Sequence, residues 1–285
     1  MRLSYERVTL QSKAELIRFL KKSEEYSLFL LSNLETYGLN LSHALYSGNF
    51  KILREEGEIV AAFCLTREGT LIVQALQQNE TIYETIIKAC LEEKIPILGI
   101  LGGWDLAYPL WDLLKRKRII QKETFFEKEV LYTLDVGKTA YLPETGGRLL
   151  QAKDFDVWVK LREGYVEEMG FPKHSFEEMR SEFLIKVAKQ ITWGLFEEGK
   201  LVAIADLNAR FSDLGQLGGV YTIPGYRNRG SCSRLTRHLI HDTKVIHHIR
   251  KLIIFTGENN LAARKVYESL GTSHYGYYAL LFGEP

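Results

Sequence analysis

Residues 217 to 232 have the sequence Leu217-Gly218-Gly219-Val220-Tyr221-Thr222-Ile223-Pro224-Gly225-Tyr226-Arg227-Asn228-Arg229-Gly230-Ser231-Cys232, in which a short β-type run meets a basic loop. Pro224 ends the strand, because proline has no N–H for a sheet hydrogen bond. Apolar residues then recur at helical spacing from Ser233 to His248, which predicts a helix. The free N–H groups of a first helical turn and the helix dipole favour an anion at such a junction.

The loop itself has residues that suit a phosphate-bearing ligand. Gly230 lets the backbone come close to a ligand, and Arg227 and Arg229 add positive charge. A nucleotide P-loop is excluded, because no Gly-Lys-Ser/Thr follows. An ordinary strand–turn–helix with two solvated arginines is the alternative that the turn by itself leaves open.

A second motif, Asn260-x-x-Ala263-x-x-x-Tyr267-x-x-x-Gly271, follows the predicted strand Leu252 to Thr256. Asn260 is a natural helix cap and Gly271 a natural helix end. Ala263 and Tyr267 are four residues apart and therefore share one face of the helix. Taken alone, the motif is also compatible with a well-capped helix whose tyrosine supports the core.

Together the two motifs resemble the GNAT superfamily of acyl-CoA-dependent N-acyltransferases. Arg227-x-x-Gly230-x-Cys232 is similar to the family's pyrophosphate loop, which ends in Gly or Ala where this chain has Cys232. The family usually has an aromatic residue after the glycine of the second motif, where this chain has Thr272. The resemblance covers roughly residues 148 to 285 and is nearest to a subgroup with a Gly-Val-Tyr-Thr strand and a tandem N-terminal domain.

The resemblance implies acetyl-CoA or coenzyme A as cosubstrate, with no metal, and a specific set of contact residues. The implied cofactor-binding residues are Val220, Tyr221, Thr222, Arg227, Asn228, Arg229, Gly230, Ser231, Cys232, Ser233, Asn260 and Ala263. The pyrophosphate would lie on backbone N–H groups of the loop. The pantetheine arm would pair with Val220 and Thr222 on a strand that splays from its neighbour. The N–H of Val220 would polarise the thioester carbonyl, and Tyr267 would be the general acid for the leaving thiolate.

Four carboxylates are candidates for the general base. Glu168 is the candidate we favour, because similar proteins often carry an acidic residue in this helical segment. Glu167, Glu258 and Asp206, a carboxylate in an otherwise apolar strand, are further candidates. For Glu168 the alternative is a solvated helix carboxylate.

Composition limits the possible partners. The chain has 285 residues, 46% hydrophobic and 26% charged, with a formal net charge of +1. These values are typical of globular proteins, and no global field favours nucleic acid or an anionic membrane. No apolar run reaches membrane-spanning length and no signal peptide is apparent, so we expect a cytoplasmic protein, monomeric or homodimeric.

Cysteines and histidines predict neither disulfides nor a metal site. Cys64, Cys90 and Cys232 are odd in number and far apart in sequence. His238 and His241 could share a helix face, but no third ligand is apparent. Cys232, at a helix N-terminus, is expected to have a lowered pKa and to be protected from alkylation by bound coenzyme A.

The order of predicted elements repeats. Each half has two helices, a set of strands, a helix, a strand, a helix and a final strand, and capping boxes are predicted at Ser12–Glu15, Thr81–Glu84 and Ser175–Glu178. The repeat predicts an α/β (α+β) fold with two GNAT-like domains in tandem, residues 1–137 and 145–285. Each domain is expected to have a mixed, mostly antiparallel central sheet flanked by helices. The first copy lacks the basic loop, since Gln77-Gln78-Asn79-Glu80 stands in its place.

The sequence therefore predicts an acyl-CoA-dependent N-acyltransferase. Its acceptor would be a primary amine of a small molecule, an amino acid or a peptide, and no nucleic-acid partner is expected. A non-catalytic acyl-CoA-binding sensor and an aminoacyl transferase of the tandem GNAT type are the alternatives. Tyr267→Phe distinguishes the sensor, which would keep its affinity, from the enzyme, which would lose rate.

Overall fold

The computed structural model describes residues 3–171 and 173–285. In chain order the elements are β1 (Leu3–Arg7), α1 (Lys13–Lys21), α2 (Glu24–Tyr37), β2 (Gly48–Glu55), β3 (Glu58–Thr66), β4 (Thr70–Ala75), α3 (Glu80–Leu91), β5 (Gly99–Gly103), α4 (Trp104–Arg116), β6 (Lys122–Asp135), β7 (Gly147–Leu149), α5 (Phe155–Met169), α6 (Phe176–Ala188), β8 (Thr192–Glu197), β9 (Lys200–Phe211), β10 (Leu214–Thr222), α7 (Ser231–His247), β11 (Lys251–Gly257), α8 (Leu261–Ser269) and β12 (Ser273–Glu284). None of the helices formed by the described residues has both the length and the apolar composition needed to cross a bilayer.

The chain folds into two compact units that do not follow sequence order. Unit 1 contains the residues up to Leu131, with Thr256–Asn259 and Tyr275–Pro285. Unit 2 contains Tyr132–Phe255 and Asn260–His274. The predicted domain limits, 1–137 and 145–285, describe the sequence repeat and stay a prediction. Unit 1 differs from the first predicted domain because it also includes two short segments from the second half of the chain.

In unit 1, β1 to β4 form an antiparallel series, and β5 lies parallel to β4. The unit's sheet continues with β12, which pairs antiparallel with β5 from Tyr278↔Gly103 to Phe282↔Gly99. Helices α3 and α4 pack on it through a large apolar core that includes Phe63, Ile86 and Trp111.

Unit 2 repeats this arrangement. Strands β7 to β10 are antiparallel, and β11 lies parallel to β10. Helices α5 and α6 cover β9 with a core that includes Trp158, Phe183 and Ile204. The prediction of a mixed, mostly antiparallel sheet flanked by helices is therefore confirmed in each unit.

Some local predictions were wrong for identifiable reasons. The box at Ser12–Glu15 does not form, because Ser12 Oγ accepts from Thr9 N–H (3.0 Å) and Glu15 pairs with Arg54 (2.6 Å). At α3 the cap is Asn79, whose side chain accepts from Ile82 N–H at 3.0 Å, and not Thr81. The capping box at Ser175–Glu178 is confirmed.

Three strands also differ from the prediction. The sequence predicts β6 only from Leu131, whereas it begins at Lys122, and β1 and β7 were missed. The residues of β1 and β7 are largely exposed or half-buried, so they lack the run of apolar residues that marks a buried strand.

Candidate active site

Strand β10 parts from one neighbour while it stays paired with the other. It pairs parallel with β11 only from Leu214↔Lys251 to Leu217↔Ile254, whereas its pairing with β9 continues to Thr222↔Ala203. The pairing of β10 therefore shows the strand separation that the resemblance implies. Beyond Leu217, therefore, the parallel pairing with β11 does not continue along the edge of β10 that faces away from β9.

The same stretch of β10 contains a β-bulge. Between the pairs Gly218↔Asp206 and Tyr221↔Ile204, β10 has one residue more than β9. Gly219 has φ +60°, and a side chain there would place its Cβ 3.0 Å from Asp206 Oδ2. Glycine is therefore required at this position, and the bulge turns the backbone of Gly219 and Val220 away from regular pairing with β9.

Beyond the strand, the loop leads into α7 through an uncapped helix N-terminus. Gly230 is the N-cap residue, with φ +81°, and no side chain caps the helix there. The N–H groups of Ser231, Cys232 and Ser233 have no acceptor within the helix, as in any first turn. A side chain at Gly230 would meet nothing within 4 Å, so the space in front of this helix end is open.

The hydroxyl of Ser231 is turned inward, away from that space. Ser231 is 1% exposed, and its Oγ donates to Glu197 Oε1 at 3.0 Å. Arg234 donates to the same carboxylate oxygen at 3.0 Å. If Ser231 contacts a ligand, its backbone N–H is the group in position to do so.

Arg227 folds back onto the end of β10. Its Nε donates to Thr222 O at 2.9 Å, and its Nη2 donates to Glu168 Oε2 at 2.5 Å. The contact with Glu168 is the largest cause of a raised pKa for Arg227. Glu168, the predicted base, and Arg227, a residue predicted to bind phosphate, thus form an ion pair with each other. Of the Glu168 side chain, 53% is exposed.

Two other cations flank the loop at Tyr226. The Arg229 guanidinium is 5.5 Å from the Tyr226 ring centroid and Lys200 Nζ is 5.1 Å from it. Asn228 and Arg229 are exposed, and Asn228 has φ +59°. Positive charge beside the open helix end therefore comes from Arg229 and Lys200 as well as from Arg227.

The expected low pKa of Cys232 is wrong. Burial of the thiol raises the pKa of Cys232, and a hydrogen bond with Thr236 only partly opposes this effect. Cys232 is half-buried, and the effect of burial on the thiol outweighs the effect expected from the dipole at the helix N-terminus.

The second motif forms α8 as predicted. Asn260 is the N-cap, and its Oδ1 accepts from Ala263 N–H at 3.1 Å. Ala263 is half-buried, and Tyr267 is 5% exposed with its ring centroid 6.4 Å from that of Tyr132. The cap occupies the amide oxygen of Asn260, so a ligand contact by this side chain would use its NH₂ group.

Of the remaining candidate bases, Asp206 lies beside the bulge. Its Oδ2 accepts from Lys186 Nζ at 2.6 Å, and the residue is 2% exposed. Glu258 belongs to unit 1, where it pairs with Lys128 at 3.2 Å, and Glu167 is exposed. Sequence reasoning missed Lys186 and its neighbours, although Glu182 and Lys186 have the i, i+4 spacing of a helical ion pair.

The histidines of α7 take part in a local hydrogen-bond network. His238 Nδ1 accepts from Glu144 N–H at 3.0 Å, and Asp242 lies 3.3 Å from its Nε2 and 3.1 Å from His241 Nδ1. Trp193 also donates to Asp242. Residues 3–171 and 173–285 contain no group of three or more His, Cys, Asp or Glu side chains that could hold a metal ion.

Comparison with solved structures finds proteins of similar fold. A GCN5-related N-acetyltransferase from Sphaerobacter thermophilus matches 98% of this chain and 94% of its own, with 14% identity and a TM-score of 0.62. A Drosophila protein matches 98% of both chains with 16% identity and a TM-score of 0.69. A tandem GNAT protein from the clavulanic acid biosynthesis pathway also matches 98% of both chains, with 10% identity and a TM-score of 0.57.

These identities are low, so the three likenesses concern the fold alone. No curated protein matches the chain by sequence. The model of the acetyltransferase (GNAT) family matches residues 158–272. This range includes most of α5, the bulged strand β10, the loop before α7 and the motif of α8. Residues 158–272 of the chain therefore form a domain of the acetyltransferase (GNAT) family.

Proposed function

We propose that this chain is an N-acyltransferase that moves an acetyl or other acyl group from acetyl-CoA to a primary amine. The observation that supports this most strongly is the bulge at Gly219 in a strand that has left β11, followed by the uncapped start of α7 at Gly230. The bulge supplies a backbone N–H for a carbonyl oxygen, and the helix end supplies N–H groups for a phosphate.

Coenzyme A fits the residues present. The backbone of Arg229, Gly230, Cys232 and Ser233 would hold its pyrophosphate, with Arg229 and Lys200 adding charge. Arg227 would join them after leaving Glu168. Val220 and Thr222 would pair with the pantetheine arm along the free edge of β10, and Asn260 and Ala263 would contact it from α8.

When bound, acetyl-CoA supplies an acyl group activated as a thioester. The N–H of Val220 would stabilise negative charge on the carbonyl oxygen while the amine nitrogen bonds to the acyl carbon and the carbon–sulfur bond breaks. Tyr267, which is 5% exposed, would donate a proton to the leaving sulfur.

A sensor that binds acyl-CoA without turnover is the second candidate. It is favoured by the pairing of Glu168 with Arg227, which occupies the predicted base. Tyr267→Phe separates the two functions by the turnover rate. A sensor would keep its affinity for acyl-CoA and has no turnover to lose, whereas an enzyme would keep its affinity but lose rate.

The test is a calorimetric titration of the protein with acetyl-CoA, followed by thiol release with a panel of primary amines. We expect saturable binding at one site, which Arg227→Glu weakens by about tenfold or more, since one charge-assisted contact contributes about 1.5–3 kcal/mol. No binding of acetyl-CoA or coenzyme A would contradict the proposal.

A further inference from the structure

Asp206 is a buried carboxylate with one oxygen that no other group uses. Its Oδ2 accepts from Lys186 Nζ at 2.6 Å, but its Oδ1 is buried and has no hydrogen-bond partner. A buried acceptor left unpaired is unfavourable, and more so when it is charged. The arrangement is therefore unusual for a carboxylate that serves stability alone.

The carboxylate of Asp206 lies beside the proposed reaction centre. Asp206 is paired with Gly218 across the sheet, and its Oδ2, the oxygen that Lys186 contacts, lies at the bulge, 3.0 Å from where a Cβ on Gly219 would be. The next residue, Val220, carries the N–H proposed to bind the carbonyl oxygen. The carboxylate also faces α5 and α6, since its partner Lys186 belongs to α6 and lies 6.0 Å from the Trp158 ring of α5.

A chain of charged side chains extends from this carboxylate. Lys186 Nζ also contacts Glu182 Oε1 at 2.6 Å, and Glu182 pairs with Arg162 of α5 at 3.3 Å. Desolvation lowers the pKa of Lys186, but Asp206 and Glu182 outweigh it, so the net shift is upward and the ammonium persists. His174 also acts on Glu182, whereas Thr192 of β8 and Gly219 of β10 face Asp206 without charge.

Glu168, the candidate favoured from the sequence, lacks these properties. More than half of its side chain is exposed, and it is bound to Arg227 in the loop. Asp206 has a free oxygen, a fixed orientation and a position beside the bulge. Of these two carboxylates, Asp206 has the geometry that proton transfer at the bulge requires.

We propose that Asp206 Oδ1 is the general base of this site and accepts the proton of the attacking amino group, directly or through one water molecule. In this step the amine nitrogen bonds to the acyl carbon and the carbon–sulfur bond breaks. The sulfur takes a proton from Tyr267 and the amine proton passes to Asp206. After the products leave, Asp206 gives up its proton to water and Tyr267 takes one from water, which restores both groups. The assignment depends on the acyltransferase function proposed above.

The experiment uses the full chain with acetyl-CoA and aniline, an amine that is mostly neutral over the pH range measured, and follows thiol release from pH 5 to pH 9. Asp206→Asn keeps the shape and removes the proton acceptor, and we expect the turnover rate to fall about 100-fold with acetyl-CoA affinity within about twofold of the parent. Glu168→Gln tests the rival base and should lose far less rate. Thermal unfolding and acetyl-CoA titration of each variant verify that it is folded.

Lys186→Met provides an independent measurement. A buried carboxyl that has lost its ammonium partner holds a proton more readily, so the rising limb of rate against pH should move up by about one pH unit. A purely structural ion pair would lower the rate without moving that limb. If Asp206→Asn does not fold, this shift decides the assignment.

Three results would overturn the proposal. Asp206→Asn could keep the parent rate within about threefold, Glu168→Gln could lose as much rate as Asp206→Asn, or Lys186→Met could keep the parent pH profile. In each case the parent protein still turns over and the proposed function stands. If the parent binds acetyl-CoA but releases no thiol with aniline or aliphatic amines, the acyltransferase function fails as well.

Discussion

The junction between β4 and α3 in unit 1 and the junction between β10 and α7 in unit 2 have the same place in the order of elements but different local structures. Both strands leave their parallel neighbour early, β4 after Ile72↔Leu101 and β10 after Leu217↔Ile254. However, β4 pairs with β3 without a register shift, whereas β10 contains the bulge at Gly219.

The two helix ends differ as well. Asn79 caps α3 with its own side chain, whereas Gly230 leaves the first turn of α7 uncapped and open. The comparison teaches that the shared architecture does not create an anion site. A bulge and an uncapped helix end create it, and only a few residues determine both.

The largest effect is expected from Gly219→Val at the bulge. A β-branched residue does not tolerate φ +60° and would meet Asp206, so the N–H of Val220 would be displaced. We expect the rate of thiol release to fall about 100-fold or more, the effect of losing one donor to a developing oxyanion. Val73→Ala in the regular strand β4 is the matched control and should keep the rate per folded molecule.

Two buried carboxylates, one in each unit, have different surroundings. Asp206 in unit 2 is paired with Lys186, whereas Glu129 of β6 in unit 1 is 5% exposed, and burial, with a smaller effect of Glu127, raises the pKa of Glu129 to about 7. A carboxyl group with a raised pKa in the folded state stabilises the fold at low pH. That contribution is lost as the pH rises through about 7.

Glu129→Gln should remove this dependence. We expect the free energy of unfolding of the parent to fall by about 2 kcal/mol relative to the variant between pH 5 and pH 8, since one pKa unit corresponds to about 1.4 kcal/mol. Urea unfolding at several pH values measures it. Equal pH dependence in parent and variant would show that Glu129 is not the group responsible.

An intermediate effect is expected at the uncapped helix end. Gly230→Asp places a negative charge where a phosphate would bind, and Asp tolerates left-handed backbone better than most residues. We expect acetyl-CoA affinity to fall about tenfold by calorimetry. Gly230→Asn has the same shape without the charge and should lose less, and Asn79→Asp in unit 1 should leave the affinity unchanged.

The smallest effect is expected from Glu168→Gln. Releasing Arg227 from its ion pair should raise acetyl-CoA affinity by about two- to fourfold, because exposed ion pairs contribute up to about 1 kcal/mol. Glu163→Gln, an exposed carboxylate on the same helix, is the control. An affinity that falls in Glu168→Gln would mean that Glu168 orients Arg227 toward the ligand.

The sequence predicted the order of elements and the loop because these depend on local signals. Periodicity, Pro224, the Ser175–Glu178 box and the glycine before α7 each act within a few residues. The strand separation followed from the resemblance, and the register agrees with it. The roles of the cofactor-binding residues remain predictions.

What the sequence did not predict depends on residues that are distant in the chain. The contact of Glu168 with Arg227 and that of Lys186 with Asp206 join residues on different elements, so no spacing rule identifies them. The bulge was missed because two adjacent glycines, Gly218 and Gly219, do not by themselves indicate which one takes a positive φ. The raised pKa of Cys232 was missed because the burial of a thiol depends on residues that are distant in the chain.

The pairing of β12 with β5 has a consequence for the way this chain is made. Gly99 emerges from the ribosome long before its partner Phe282, so the sheet of unit 1 cannot close during synthesis of the first half. Pairings between such distant residues also slow folding, because a long loop must be closed before the contact forms. Until then the edge of β5 is open to other strands, so a nascent chain would depend on protection from aggregation until its last strand is in place.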